Sequence, residues 1–370
     1  MRIAQVAPLY ESVPPKLYGA TQRIISYLTE ELVRQGHRVT LFATGDSRTS
    51  AELVSIYPRG LWRDSSVWET LAHHVLQLER IAQQVERFDV VHFHGDPLHY
   101  PLARRLSCAS VTTLHGLPLP VDHRPLFEEF SDAPLVSISD SQRHPLPEAN
   151  WQATIHHGLP LDLLHLNEHP EDYLVFLGRI APEKRLDRAI EIARRAGRRL
   201  KIAAKVGFGE RDYFEREVEP LLRESHGFVE YLGEVDDTRK NEILGNAAAL
   251  LFPIDWAEPF GLVVIEALAC GTPVVAFRQG AVPEILEESK TGFLVDSVEE
   301  AVRAVSRIGE LSRRVCRKAF EERFSVNRMA RDYLDVYQRL IRSREVGQVS
   351  KTIRGISRRP RAARRRTKTE

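Results

Sequence analysis

The chain has 370 residues, 43% of them hydrophobic and 28% charged. This length suits two domains that each bury a core, and the composition is that of a globular protein, not a disordered, fibrous or membrane-embedded one. The net charge of +1 hides an asymmetry: residues 351–370 hold nine Lys/Arg and one acid, leaving 43 basic and 50 acidic residues, a charge of −7, in the remainder. Cys108, Cys270 and Cys316 are scattered, with no CxxC or Cys/His spacing, and read as reduced core thiols. The N-terminus lacks a signal peptide's apolar region and no apolar run is long enough to span a membrane, so a cytosolic chain is expected.

Residues 2–8 alternate towards a buried strand and lead into a loop, 9–18, with Pro14 and Pro15. Gly19-Ala20 opens a helix with apolar positions Ile24, Ile25, Leu28, Leu32 and Val33; Gly36 ends it, and residues 37–43 form the next strand. This strand–loop–helix–strand order reads as a Rossmann-like half without GxGxxG, and a glycine at 19 lets backbone approach a ligand closely. Residues 62–87 carry a long helical pattern. Residues 88–94 read as a strand whose alternation sets His92 and His94 on one face, with no third ligand at metal spacing. Residues 111–115 form a strand ending in Thr113-Leu114-His115-Gly116 at its carboxyl tip, the edge where open α/β sheets bind ligands. Strands at 134–139 and 153–157 complete a first sheet, and the polar stretch 167–172 reads as a hinge.

The second half starts with a strand at 173–177 and a loop, Gly178-Arg179-Ile180-Ala181-Pro182-Glu183-Lys184, before a helix. Arginine offers a planar fork to two phosphate oxygens, and lysine adds a mobile point charge. The strand at 201–206 carries an inward-looking Lys205, a further candidate for phosphate. The strand at 228–233 runs into Glu234-Val235-Asp236-Asp237. Residues 249–253 are a short apolar run, read as a buried parallel strand. The turn Glu258-Pro259-Phe260-Gly261 follows, then a helix from Leu262 that Gly271 and Pro273 stop. Glu258 therefore lies in the loop at a strand's carboxyl end, and Glu266 about one turn into the helix. Between them the unpaired amides around Phe260, Gly261 and Leu262 make an anion site. Two carboxylates flanking an anion cradle suit a ligand with hydroxyls at both ends and phosphate between them, such as a nucleotide-diphosphate sugar.

Seven residues lie between Glu258 and Glu266 in Glu258-Pro259-Phe260-Gly261-Leu262…Glu266, and the continuation through Gly271-Thr272-Pro273-Val274-Val275-Ala276 is of the same kind. This stretch resembles the EX7E motif of retaining glycosyltransferases of family 4, and the likeness extends over about residues 1–342. The resemblance implies an α/β, GT-B fold: two Rossmann-like domains whose parallel sheets face a central cleft. The N-terminal acceptor domain is expected over 1–166 and the donor domain over 167–325. A helix at 326–345 would cross back onto the first domain, and a basic, disordered tail would fill 346–370. His115 is implied to contact the transferred sugar and its phosphate, with Gly19, Arg179, Lys184, Phe260, Gly261 and Leu262 around the donor. Glu266 would accept from the ribose hydroxyls and Glu258 from the sugar, across the cleft from His115. Residues 234–237 would hold the base through backbone contacts. Three positions depart from the family pattern: Ala20 and Arg185, each in place of a glycine, and His157 in place of an asparagine, to which no role is carried over.

No Asp-x-Asp metal motif occurs. Arg179, Lys184 and a helix N-terminus sum to roughly +2.5, close to balancing a diphosphate. No metal and no cofactor is therefore expected, and no lysine motif for pyridoxal phosphate is apparent. UDP-hexose ranks ahead of GDP-mannose as donor; the acceptor, a hydroxyl on a lipid, saccharide or small molecule, is unidentified. The Arg-rich tail, without aromatics, offers salt-sensitive attraction and no base readout. No specific nucleic acid is expected, and an anionic membrane surface is the partner that residues 351–370 suit. The competing reading is a scaffold of the same fold, without transferase activity, whose tail binds anionic membrane or nucleic acid.

Overall fold

The computed structural model describes the chain apart from Tyr18, Asp96, Leu119, His226 and residues 358–370; the side chains of Pro120, Phe208 and residues 347–357 also lie outside the description. The first sheet comprises β1 (Arg2–Val6), β2 (Arg38–Ala43), β3 (Glu52–Ser55), β4 (Val90–Phe93), β5 (Ala109–Thr113), β6 (Leu135–Ser137) and β7 (Trp151–Thr154), in the order β3-β2-β1-β4-β5-β6-β7. The second comprises β8 (Tyr173–Ile180), β9 (Arg199–Val206), β10 (Val229–Gly233), β11 (Ala249–Phe252), β12 (Val274–Phe277) and β13 (Gly292–Val295), in the order β10-β9-β8-β11-β12-β13. Every pairing is parallel. Continuous apolar runs such as ALLF in β11 and VVAF in β12 are fully buried because helices cover both faces of each sheet. In each sheet the strand order reverses beside the first strand, at β1/β4 and at β8/β11. That reversal opens a crevice at the carboxyl edge.

Several elements depart from the sequence reading. Strand β3 lies where the sequence reading sets no element; its four half-polar residues, ELVS, are too short for alternation to register. The pattern over 62–87 condenses to a helix at Thr70–Ala82, where the Glu69 carboxylate accepts from the Leu71 amide at 2.8 Å. Between β5 and β6, where the sequence reading sets no element, lies a helix, Pro120–Glu129, with Pro125 inside it, a residue that argues against helix in sequence. Arg179 belongs to strand β8 and not to the loop after it. The terminal helix runs over Val326–Ser357, so residues 346–357 are helical where a disordered tail is expected; no proline interrupts them, and Lys and Arg are good helix formers. Residues 358–370 of that tail lie outside the described residues. Among the described residues no helix is long and apolar enough to cross a membrane. The three cysteines are unpaired; Cys270 and Cys316 are buried and Cys108 half-buried, and burial pushes the Cys108 thiol up to about 11 and those of Cys270 and Cys316 to about 12.

The two halves are joined at several points. Leu159 exchanges backbone hydrogen bonds with Phe324 and Val326, each 2.9 Å. The terminal helix packs on helix Ala20–Arg34 and on β5, burying Met329, Ala330, Tyr333 and Tyr337. Glu284 accepts from the amides of Asp140 (2.8 Å) and Ser141 (2.7 Å), and Arg23 pairs with Asp237 across the cleft. At the expected hinge, Arg313 donates to the carbonyls of Asn167, Ala247 (2.9 Å) and Gly245 (2.7 Å) and to Thr272 Oγ1 (2.8 Å). Arg313→Met strips these carbonyls of a charged donor and is expected to cost about 3 kcal/mol. The melting temperature should fall by roughly 6–12 °C; a shift below about 2 °C would show that the guanidinium does not brace the hinge.

Candidate active site

The carboxyl end of β11 delivers the chain into the Glu258 loop, and backbone contacts fix that loop. Glu258 N donates to Trp256 O (2.8 Å), and Ala281 N donates to Glu258 O (2.9 Å). Gly280, at φ 54°, lies so close that a Cβ there would come within 2.3 Å of the Glu258 backbone N and O, so a side chain at 280 would push the loop aside. The Glu258 carboxylate is largely buried. It pairs with Lys184 Nζ and accepts from the Trp256 indole N–H at 3.0 Å. Lys184 in turn sits 4.9 Å from the centroid of the Trp256 ring.

Gly261 takes φ 90° and starts helix Leu262–Ala269; Val264 N donates to Gly261 O at 2.9 Å, and Gly261, Leu262 and Val263 at the helix start line the cleft. Glu266, on that helix, is 3% exposed and accepts from Lys240 Nζ at 2.7 Å. Lys240 also lies 3.3 Å from Asp237, which holds Arg23 of the opposite domain. On β8, Arg179 is in register with Lys205 on β9. Arg179 donates to Glu183 (2.7 Å) and to Glu210. Arg179 and Lys184 thus each hold carboxylates, as a charge in a half-buried cleft is stabilised by a counter-ion.

The first domain supplies the facing wall. Gly19 caps helix Ala20–Arg34 without a side-chain bond. His115 follows β5, with His157 stacked on it at 5.4 Å between ring centroids and Phe260 edge-on to His157 at 4.8 Å. Burial pushes the His115 imidazole down to about 4 and that of His157 well below its ordinary value, so both are neutral at pH 7. The ring of His92 lies 3.8 Å from that of His94, the shared face that alternation predicts. Among the described residues no group of three or more His, Cys, Asp or Glu is disposed to hold a metal.

One cleft, about 1150 Å³ of space partly open to solvent, is lined by Gly19, His115, Arg179, Lys184, Lys205, Glu258, Phe260, Gly261, Leu262 and Glu266, the full set singled out in the sequence. It is also lined by Arg23, His157 and Lys240, which sequence reasoning missed. The Lys240–Glu266 and Arg23–Asp237 pairs join residues 26 and 214 positions apart, a link no local pattern carries. For His157, its position in place of a family asparagine was the one available signal.

Two family models tile the chain: Glycosyltransferase Family 4 over residues 21–135 and Glycosyl transferases group 1 over residues 165–323. The chain belongs to the GT4-type glycosyltransferases. The matched stretches fall one in each Rossmann-like half, and the second begins just before the expected hinge at 167–172. This glycosyltransferase is 24% identical to an uncharacterized glycosyltransferase of Methanocaldococcus jannaschii, over 91% of this chain and 98% of that one. It is 35% identical to a probable sucrose-phosphate synthase of Thermosipho melanesiensis over 85 residues, 22% of this chain and 20% of the relative, so the match spans about a fifth of that protein. Among solved structures, AviGT4, a glycosyltransferase involved in avilamycin A biosynthesis, superposes with TM-score 0.67 at 25% identity, covering 92% of this chain and 98% of that one. A sucrose-phosphate synthase from Thermosynechococcus elongatus superposes with TM-score 0.75 at 19% identity, over 92% and 99% of the two chains, a likeness of fold alone. The fold is GT-B, as the two parallel sheets require.

Lys240→Met leaves the buried Glu266 carboxylate unpaired and is expected to destabilise the glycosyltransferase by about 3–5 kcal/mol. Adding Glu266→Gln should recover most of that loss. Additive effects in urea unfolding of the two single variants and the double variant would show the pair to be energetically idle.

Proposed function

We propose that this glycosyltransferase moves a hexose from a nucleotide-diphosphate sugar, UDP-hexose before GDP-mannose, to an acceptor hydroxyl with retention of configuration and without a metal. The observation that supports it is the set of groups on the two walls of one cleft. A helix N-terminus, Arg179, Lys184 and Lys205 sit where a diphosphate needs positive potential. Glu266, Glu258 and His115 line the same cleft. A carboxylate accepts two hydroxyl hydrogens at once, which suits Glu266 to a ribose and Glu258 to the transferred sugar. A structure similar in fold, Anabaena HepE, is described in complex with UDP and glucose, and a UDP donor is favoured on that analogy.

On binding, the diphosphate takes Lys184 from Glu258 and Arg179 from Glu183 and Glu210. The leaving phosphate then gathers its growing charge on groups already oriented. The released Glu258 carboxylate is free to accept from the sugar. In the retaining course, the acceptor oxygen attacks from the face the phosphate leaves, and the departing phosphate oxygen takes its proton. No side chain here is assigned as a covalent nucleophile. With donor groups on the second domain and His115 and Gly19 on the first, closure about the hinge completes the site.

A thermal-shift panel of UDP, GDP, ADP and their hexose conjugates, run in EDTA, tests the reading. A ligand at 100 times its dissociation constant adds about 2.7 kcal/mol. One nucleotide should stabilise the wild type and fail on Glu266→Ala, and transfer should proceed undiminished in EDTA. Stabilisation that survives Glu266→Ala would remove Glu266 from the nucleoside site, and activity that only Mg²⁺ restores would overturn metal independence.

A further inference from the structure

His115 is the open end of a hydrogen-bonded chain that runs through the interior of the first domain to the terminal helix. Its Nε2 lies 3.0 Å from His94 Nδ1, and His94 Nε2 lies 2.7 Å from Gln5 Oε1. Gln5 Nε2 donates to the Tyr337 hydroxyl at 3.1 Å, and that hydroxyl lies 2.7 Å from His92 Nδ1. His92 Nε2 reaches Thr113 Oγ1 at 2.7 Å, and Thr113 meets the Tyr333 hydroxyl at 2.9 Å. Every link behind His115 is buried, so water does not substitute for any of them.

The chain has a direction. Burial holds the imidazoles of His92, His94 and His115 neutral, so each carries one N–H. Gln5 Oε1 brings no hydrogen, so His94 Nε2 must donate to it. His94 Nδ1 is then a lone pair, and His115 Nε2 must donate into it. The remaining nitrogen, His115 Nδ1, is therefore a bare acceptor. It has no partner and is shielded from solvent in the free chain, and His115 lines the cleft, so a ligand group reaches this atom only when the wall shifts on donor binding. Reversing the whole chain would put a buried, orphaned N–H at the same atom, the rarer and more costly arrangement.

We infer that His94, Gln5 and the two tyrosine hydroxyls form a relay that sets the tautomer of His115, so that Nδ1 accepts a hydroxyl hydrogen from the transferred sugar and does not hold phosphate. The inference rests on the donor reading given above. A phosphate oxygen ionised at neutral pH has no hydrogen to offer Nδ1, so a role there in binding the diphosphate is ruled out by polarity. A hexuronate carboxylate at the same place is refused for the same reason, and a deoxy sugar leaves the nitrogen unpaired. The site therefore selects glycosyl groups that present a hydroxyl to this wall. His94 and Gln5 act through His115 and are positioning residues.

Long-range ¹H–¹⁵N NMR of the unliganded full chain reads the tautomer directly. His115 should be protonated at Nε2 and bare at Nδ1; a proton on Nδ1 overturns the relay. In kinetics, His94→Phe removes the acceptor for His115 Nε2–H and should lower kcat by roughly 10- to 100-fold, with UDP affinity unchanged. His94→Gln, whose amide oxygen accepts while its nitrogen donates, should recover most of that loss. Equal losses in the two variants, or a loss of UDP affinity in His94→Phe, would contradict the assignment. A protein that binds no nucleotide sugar overturns the role in donor recognition, whereas the opposite tautomer overturns the relay and leaves the donor reading standing.

Discussion

Charge neutralisation within a half-buried cleft is the constraint on which the site depends. Lys184 and Glu258, Lys240 and Glu266, and Arg179 with Glu183 and Glu210 form three ion-paired groups along one wall. None of these charges is stable there alone, since desolvating an unpaired ion costs several kcal/mol. The pairing has a chemical consequence. On the proposed reading, a ligand with phosphate beside a sugar hydroxyl takes both members of the Lys184–Glu258 pair at once, the cation by its phosphate and the carboxylate by its hydroxyl. A simple anion satisfies only the cation and strands that carboxylate.

The architecture makes this arrangement possible. Parallel strands end together, so the loops after β8, β9 and β11 converge on one edge, and the second sheet turns the same edge towards the first. The contact of Gly280 with the Glu258 backbone and the buried chain behind His115 support the two walls of the cleft from behind. The terminal helix belongs to this support as much as to the domain junction, because Tyr333 and Tyr337 come from it.

Most of the fold was legible in the sequence because buried parallel strands are unbroken apolar runs and the helices between them are amphipathic. β3 and helix Pro120–Glu129 escaped, the first for want of length and the second because Pro125 argued for a loop. The cleft residues were legible because they lie at or just past the carboxyl end of a strand or within the first turns of a helix, positions that sequence marks. The partners of those residues were not. Lys184 and Glu258 were both singled out, but as ligands of a donor and not of each other, since sequence lists groups without their distances. Lys240, Arg23 and the Gln5–Tyr337 bond depend on contacts across 26 to 332 positions and have no local trace.

The exchange of ion pairs is open to one direct measurement, the affinity of UDP for the wild type and for Glu258→Gln by titration calorimetry. If Lys184 must leave Glu258 to meet the diphosphate, neutralising Glu258 frees it in advance. UDP should then bind Glu258→Gln roughly five- to tenfold more tightly, equivalent to about 1–1.4 kcal/mol, while transfer is lost. Equal or weaker binding of UDP to Glu258→Gln would contradict the exchange and leave the Lys184–Glu258 pair a structural contact.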